Sequence, residues 1–209
     1  MKERVIQTDA CVAEGAAWLC QAEPQFARAM AGLPPLPLRR KPDGFAELLS
    51  AIVSQQVSVA SAAAIWTRLQ GAWMIDPVSV SRASESDLRG LGLSRQKARY
   101  AQALAIADID YIALRQMPSA AVIKELTAVP GIGAWTAEIY AMFSLGRADV
   151  FAPGDLALQE AARVIFDLPD RPNEKAFRTM SEAWSPWRSV AARILWAYYK
   201  QHKQREGIR

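Results

Sequence analysis

Apolar side chains recur along this chain at helical spacings of three and four, and no stretch shows the Val/Ile/Thr-rich alternation of a half-buried strand. One face is built from Phe45, Leu48, Leu49, Ile52 and Val53, another from Ala62, Ile65, Trp66 and Leu69. The pattern returns through Ala98, Ala101, Leu104 and Ala105, through Val122, Ile123 and Leu126, and through Ala191, Ile194, Leu195 and Tyr198. Residues 1–32 read as one or two helices anchored by Trp18, Leu19 and Phe26. The run Leu33-Pro34-Pro35-Leu36-Pro37 must be extended, because Pro disfavours helix in the residue before it. Ser58, Ser84 with Asp87, Ser94, Ser119 after Pro118, Asp155, Asn173 and the pair Ser185-Pro186 supply helix starts. Gly90 or Gly92, Pro130 and Gly146 supply stops. The fold class predicted is all-α, with about ten helices. At 51% hydrophobic and 22% charged, the 209 residues can bury a sizeable core.

Charge and cysteine content narrow the chemistry. A formal net charge of +4 suits a polyanionic partner without demanding one. Cys11 and Cys20 stand alone, with no Cys/His cluster, which excludes a zinc or iron–sulfur site and points to a reducing compartment. The N-terminus lacks the apolar core of a signal peptide, and no apolar run reaches membrane-spanning length. A soluble monomer is expected, cytoplasmic and nucleoid-associated in a bacterium or nuclear in a eukaryote, with no membrane partner.

The segment LTAVPGIGAWTA (126–137) is the most informative. A helix ends, Pro130-Gly131-Ile132-Gly133 turns, and a second helix starts. Two glycines remove Cβ atoms, so an oxyanion can approach the main chain. The first N–H groups of the second helix carry the positive end of its dipole, and Ile132 can plug the gap between the two helices. Such a corner binds phosphate without reading bases. A plain turn between helices is the alternative reading of the same string.

The segment closely resembles the helix–hairpin–helix of the DNA-repair glycosylase superfamily. VFAPGDLALQ (150–159) supplies an Asp twenty residues after Trp135, and its spacing, with Val150-Phe151 and Pro153, resembles the 3-methyladenine DNA glycosylase II (AlkA-type) branch. LLSAIVSQQVSVASAAAIW (48–66), GLSRQKARY (92–100) and WSPWRSVAARILWAYY (184–199) match in order, so the resemblance covers about 44–199. It implies two packed lobes, approximately 44–146 with the hairpin 126–137, and approximately 1–40 plus 150–209, with the active-site cleft between them. Too few residues precede Phe45 for the N-terminal β-rich domain of larger members, so a compact, purely helical form is expected.

The resemblance also assigns roles. Asp155, a natural N-cap, becomes the catalytic carboxylate: breaking an N-glycosidic bond builds positive charge on the sugar, which an anion stabilises. Bifunctional members carry Lys where this chain has Trp135, so a monofunctional, water-using enzyme is implied. Trp135 and Trp196 would wall the base pocket, where aromatic faces attract a cationic alkylated base; a core position is the alternative for Trp135. Gln56 matches the wedge that fills the gap left by a flipped base, or is simply a polar loop residue. Ser58 would touch the minor groove. Gly131, Gly133 and Thr136 would meet the DNA backbone, with Arg95 and Lys97 adding phosphate contacts. Main-chain carbonyls of Thr127, Val129 and Ile132 would hold a structural Na+ or K+; no cofactor is required for the chemistry. Ile139 and Ala197 stand where the branch has tyrosines.

The expected function is therefore hydrolytic release of alkylated bases, of the 3-methyladenine and 7-methylguanine type, from damaged double-stranded DNA in base excision repair. Two other readings stay open: a non-catalytic helix–hairpin–helix DNA-binding protein, and a glycosylase for an oxidised or deaminated base. A neutral leaving group calls for protonation assistance, and the only histidine, His202, lies in the polar tail.

Overall fold

The computed structural model describes residues 3–205. Thirteen α-helices and one short 3₁₀ turn account for its regular structure, and among the described residues the only β feature is an isolated bridge between Val5 and Arg147. No helix among them is long and apolar enough to cross a membrane.

The chain divides into two compact units. One takes the chain up to Arg40 and from Ala141 onward; the other is the continuous insert Lys41–Tyr140. The insert thus ends inside a helix, where the sequence reading places the lobe boundary at 146. The expected lobe 1–40 plus 150–209 includes residues 1–2 and 206–209, which lie outside the described residues.

In the first unit, α1 (Asp9–Ala22) and α2 (Pro24–Met30) are followed by the extended proline-rich run. After the insert come α11 (Leu156–Ile165), α12 (Glu174–Met180), a 3₁₀ turn Ser181–Trp184 and α13 (Arg188–Arg205). α13 packs against α1, α2 and α11. The core centres on Trp184, fully buried, with the rings of Phe26, Phe151, Phe166 and Phe177 at 5.2, 5.3, 5.7 and 5.9 Å. Gly15 lets α1 close on α13, because a Cβ there would lie 2.7 Å from Trp187 and Val190 side-chain atoms.

The insert holds α3 (Phe45–Ser54), α4 (Val59–Gly71), α5 (Pro77–Arg82), α6 (Glu85–Gly90), α7 (Arg95–Ile106), α8 (Tyr111–Leu114), α9 (Ser119–Thr127) and the first part of α10 (Ala134–Phe143). α7 packs on α3, α5 and α6 through Ala98, Ala101 and Leu104. Ser58 and Ser94 cap as expected, and Ser84 with Asp87 forms a reciprocal capping box. Entry and exit of the insert are tied together: the Gly44 N–H donates to the Tyr140 hydroxyl at 2.8 Å, and Arg115 grips Asp43 with two bonds of 2.6 and 2.9 Å.

α9 starts at Ser119 as expected, with Pro118 before it as the N-cap. Two points differ from the sequence reading. Ser185-Pro186 does not open the last helix: α13 begins at Arg188, and the Ser185 hydroxyl donates to Asp149 at 2.8 Å instead of capping. The short helices α5 and α8 were not visible as periodicity, since each buries a single apolar residue, Val80 and Leu114.

Candidate active site

In the insert, α9 and α10 are joined by the glycine turn. Leu126, Val129 and Ile132 are buried, so the plug expected of Ile132 is in place. Its N–H donates to the Val129 carbonyl at 3.1 Å, which closes the turn. The two glycines act differently. Gly131 has φ +94°, a region that disfavours any side chain, and a Cβ there would collide with the Tyr100 ring. A Cβ on Gly133 would meet nothing within 4 Å, and the residue is exposed. Only Gly133 therefore leaves its main chain open to an incoming oxyanion; Gly131 is required by the fold. Next to Gly133, α10 starts with the donor groups that every helix leaves over. Among the described residues, no main-chain acceptor meets the N–H groups of Gly133 and Ala134.

Other sequence-predicted residues take distinct places. Trp135 is 46% exposed at the second position of α10, which argues against a core role. Thr136 is buried and packs inward rather than facing solvent. Gln56 is exposed at the end of α3 in left-handed backbone (φ +53°), flanked by the exposed Val57 and Val59. Its neighbour Gln55, which no motif singled out, donates to the Gly131 carbonyl at 2.9 Å and so docks this loop on the hairpin. Ser58 spends its hydroxyl within its own cap, accepting from the Ser61 N–H and donating to the Ser61 hydroxyl. Lys97 donates to the Val53 carbonyl at 2.7 Å, and burial pushes its ammonium pKa down, so it closes the end of α3. Arg95 is exposed and paired with Glu85 at 3.2 Å.

In the other unit, Asp155 caps α11. Its Oδ1 accepts from the N–H groups of Ala157 and Leu158 at 2.9 and 3.0 Å. The indole N–H of Trp196 donates to the same oxygen at 3.2 Å. Trp196 thus enters the site as a hydrogen-bond donor to the carboxylate as well as an aromatic surface, a geometry that spacing alone could not reveal. Its ring packs on Phe143 at 5.7 Å, and the Arg193 guanidinium lies 4.8 Å from the centre of the Phe143 ring. Arg39 lies over Trp196 at 5.8 Å. Arg193 is buried, and burial together with Arg39 and Arg40 pushes its pKa down to about 10, leaving it charged at neutral pH.

An all-helical chain with a glycine hairpin in one unit and a capped carboxylate beside an indole in the other belongs to the helix–hairpin–helix class. Residues 49–188 match the family of HhH-GPD superfamily base excision DNA repair proteins, and the chain is a member of that superfamily. It is 29% identical over 165 residues to DNA-3-methyladenine glycosylase 1 of Schizosaccharomyces pombe, covering 75% of this chain and 72% of that one. The crystal structure of a DNA-3-methyladenine glycosidase from Bacillus halodurans superposes with a TM-score of 0.83 at 28% identity, over 98% of this chain and 95% of that one. The S. pombe 3-methyladenine DNA glycosylase Mag1, in complex with abasic DNA, superposes with a TM-score of 0.74 at 26% identity, over 88% and 95%. The chain spans little more than half the length of other curated relatives, 56% of one from Bacillus subtilis and 57% of one from Escherichia coli.

Proposed function

We propose that this protein is a monofunctional DNA glycosylase that flips alkylated bases out of duplex DNA and releases them by hydrolysis. The observation that carries the reading is the Asp155 carboxylate, fixed on one oxygen by two main-chain N–H groups and the Trp196 indole. A carboxylate whose plane is held in this way needs no reorganisation as positive charge develops on the sugar. Membership of a base excision repair superfamily and likeness to 3-methyladenine glycosylases point to the same reaction.

The bond from the sugar C1′ to the base breaks, and its electron pair leaves with the base. Water adds to C1′, and its proton passes through Asp155 to solvent. A base alkylated on a ring nitrogen departs as a neutral molecule, so no general acid is needed. Trp135, exposed on α10 where a Schiff-base enzyme would carry Lys, supplies no amine for a covalent route. On the hairpin, the open main chain at Gly133 and the start of α10 would hold a DNA phosphate. Carbonyls at the end of α9 suit a monovalent cation: no main-chain donor among the described residues meets those of Thr127 and Ile132, and that of Val129 already takes the turn bond. Such an ion would neutralise the carbonyl end of α9 and hold the turn.

The test is base release from methylated duplex DNA. Wild type should release 7-methylguanine and 3-methyladenine without nicking the strand. Asp155→Asn should lose at least ~100-fold in rate while still binding DNA. An Asn variant as fast as wild type would refute the role of Asp155, and borohydride trapping of an enzyme–DNA adduct would refute the monofunctional mechanism.

A further inference from the structure

Asp155 is presented by a tight turn, and one buried side chain holds that turn. The Asp155 N–H donates to the Ala152 carbonyl at 3.1 Å, so Ala152-Pro153-Gly154-Asp155 closes as a β-turn immediately before α11. Pro at the second position fits either common turn type, and Gly at the third invites type II, which needs a left-handed residue there. Gly154 does not take that conformation: its φ lies outside the positive region. The two turn types differ by a flip of the central peptide, which reverses the direction of the Pro153 carbonyl. That carbonyl accepts a hydrogen bond of 2.7 Å from the Gln159 side-chain amide, and no main-chain donor among the described residues meets it. Pro153 and Gln159 are both buried. Gln159 is the one polar side chain among the buried residues of α11, whose others are Leu158, Ala161, Ala162 and Ile165. An amide buried there costs free energy unless it is bonded, and its bond goes to the carbonyl whose direction distinguishes the two turns. The Gln159 N–H meanwhile donates to the Asp155 carbonyl at 3.0 Å, so helix and turn brace each other across Asp155.

We propose that Gln159 is a positioning residue for base release: its amide fixes the Pro153–Gly154 peptide and, through it, the reach of the Asp155 carboxylate. This rests on the reading of Asp155 as the carboxylate that serves the C1′ centre. Bonds from the first N–H groups of α11 and from Trp196 orient the carboxylate plane. The turn decides where the Asp155 main chain enters the helix, and so where that plane lies. Without the amide, the Pro153 carbonyl is left buried and unpaired, which penalises the native turn. The flipped turn then competes, because Pro followed by Gly meets no steric objection to it. A reacting group displaced by about 1 Å loses up to ~100-fold in rate. Gln159 touches no reacting atom and acts only through the turn.

The experiment measures single-turnover release of 7-methylguanine at saturating enzyme and well below the thermal midpoint, with affinity for an abasic duplex recorded for each variant. Gln159→Met keeps the length of the side chain and removes the donor. It should lose about 10- to 100-fold in rate, with affinity within about twofold of wild type. Gly154→Ala tests the flip directly. A Cβ there would lie 3.4 Å from the Glu174 Oε2, in van der Waals contact, and Ala opposes the left-handed backbone that the flipped turn requires. In the Gly154→Ala background, the loss caused by Gln159→Met should therefore shrink to about threefold or less. A side chain that merely supports the fold would give the same loss in both backgrounds, and that result would overturn the proposal. So would a Gln159→Met rate within about twofold of wild type, or a parallel fall in rate and DNA affinity; each leaves the glycosylase reading intact. Wild type that releases no alkylated base would overturn that reading and this proposal together.

Discussion

Replacing Trp196 by Phe isolates the indole hydrogen bond from the ring. Three donors converge on Asp155 Oδ1, at 2.9, 3.0 and 3.2 Å, and the indole bond is the longest. A hydrogen bond to a charged group contributes about 1.5–3 kcal/mol net, and the long distance argues for the lower end. At 1.36 kcal/mol per decade, ~1.5 kcal/mol corresponds to roughly a tenfold fall in the rate of the chemical step. Phe retains a ring against Phe143, now 5.7 Å from the indole, and a face for Arg39, so packing loss is small. The thermal midpoint should move by less than about 4 °C. Single-turnover release of 7-methylguanine is the assay, because it reads the chemical step without product release. A Phe variant within twofold of wild type, under conditions where Asp155→Asn is inactive, would refute the idea that the indole orients the carboxylate. A fall much beyond about a hundredfold with an unchanged midpoint would mean that the bond carries more of the catalysis than its length implies.

The hairpin glycines should separate cleanly. Gly131→Ala should cost about 2 kcal/mol or more by denaturant unfolding, because φ +94° and the Tyr100 ring both oppose a Cβ, whereas Gly133→Ala should leave stability nearly unchanged and weaken DNA binding in a filter or anisotropy assay. Asp149 gives a pH signature. Burial pushes its carboxyl upward, but bonds from Arg188 and Ser185 outweigh burial and hold the pKa below the ordinary carboxylate value. A depressed folded pKa contributes stability above the unfolded value of about 3.9 and loses it as pH falls through the folded one. The midpoint of Asp149→Asn should therefore lie below wild type at pH 7, and the gap should close in strong acid.

Much of the fold was legible because helix starts are written in single residues. Ser58, Ser84, Ser94, Asp155 and Asn173 all cap where their side chains said they would. The exceptions have local causes. Ser185 found a better partner in Asp149, thirty-six residues away, and α5 and α8 are too short for periodicity to register. At the site, Asp155 could be chosen from its motif, but the bond to Trp196 joins residues forty-one apart in sequence. Lys97 looked like a surface cation because nothing local announces that its ammonium reaches the Val53 carbonyl. Arg39 carried no signal at all: it sits in a proline-rich stretch, and its position is set by Arg193, 154 residues later. Spacing finds contacts made along one helix; it is blind to those made by a strap returning to a distant one.

The insert Lys41–Tyr140, tied shut where Gly44 meets Tyr140, has a consequence for synthesis. It is complete before α11 and α13 have left the ribosome, and domains generally fold as units as they emerge. Helices α1 and α2 come out earlier but depend on α13, so their apolar faces, including Val12, Leu19 and Phe26, wait more than a hundred residues for cover. Helices α1 and α2 are made before the insert and covered after it. Until α13 arrives, the apolar faces of α1 and α2 stay open to chaperones or to other chains.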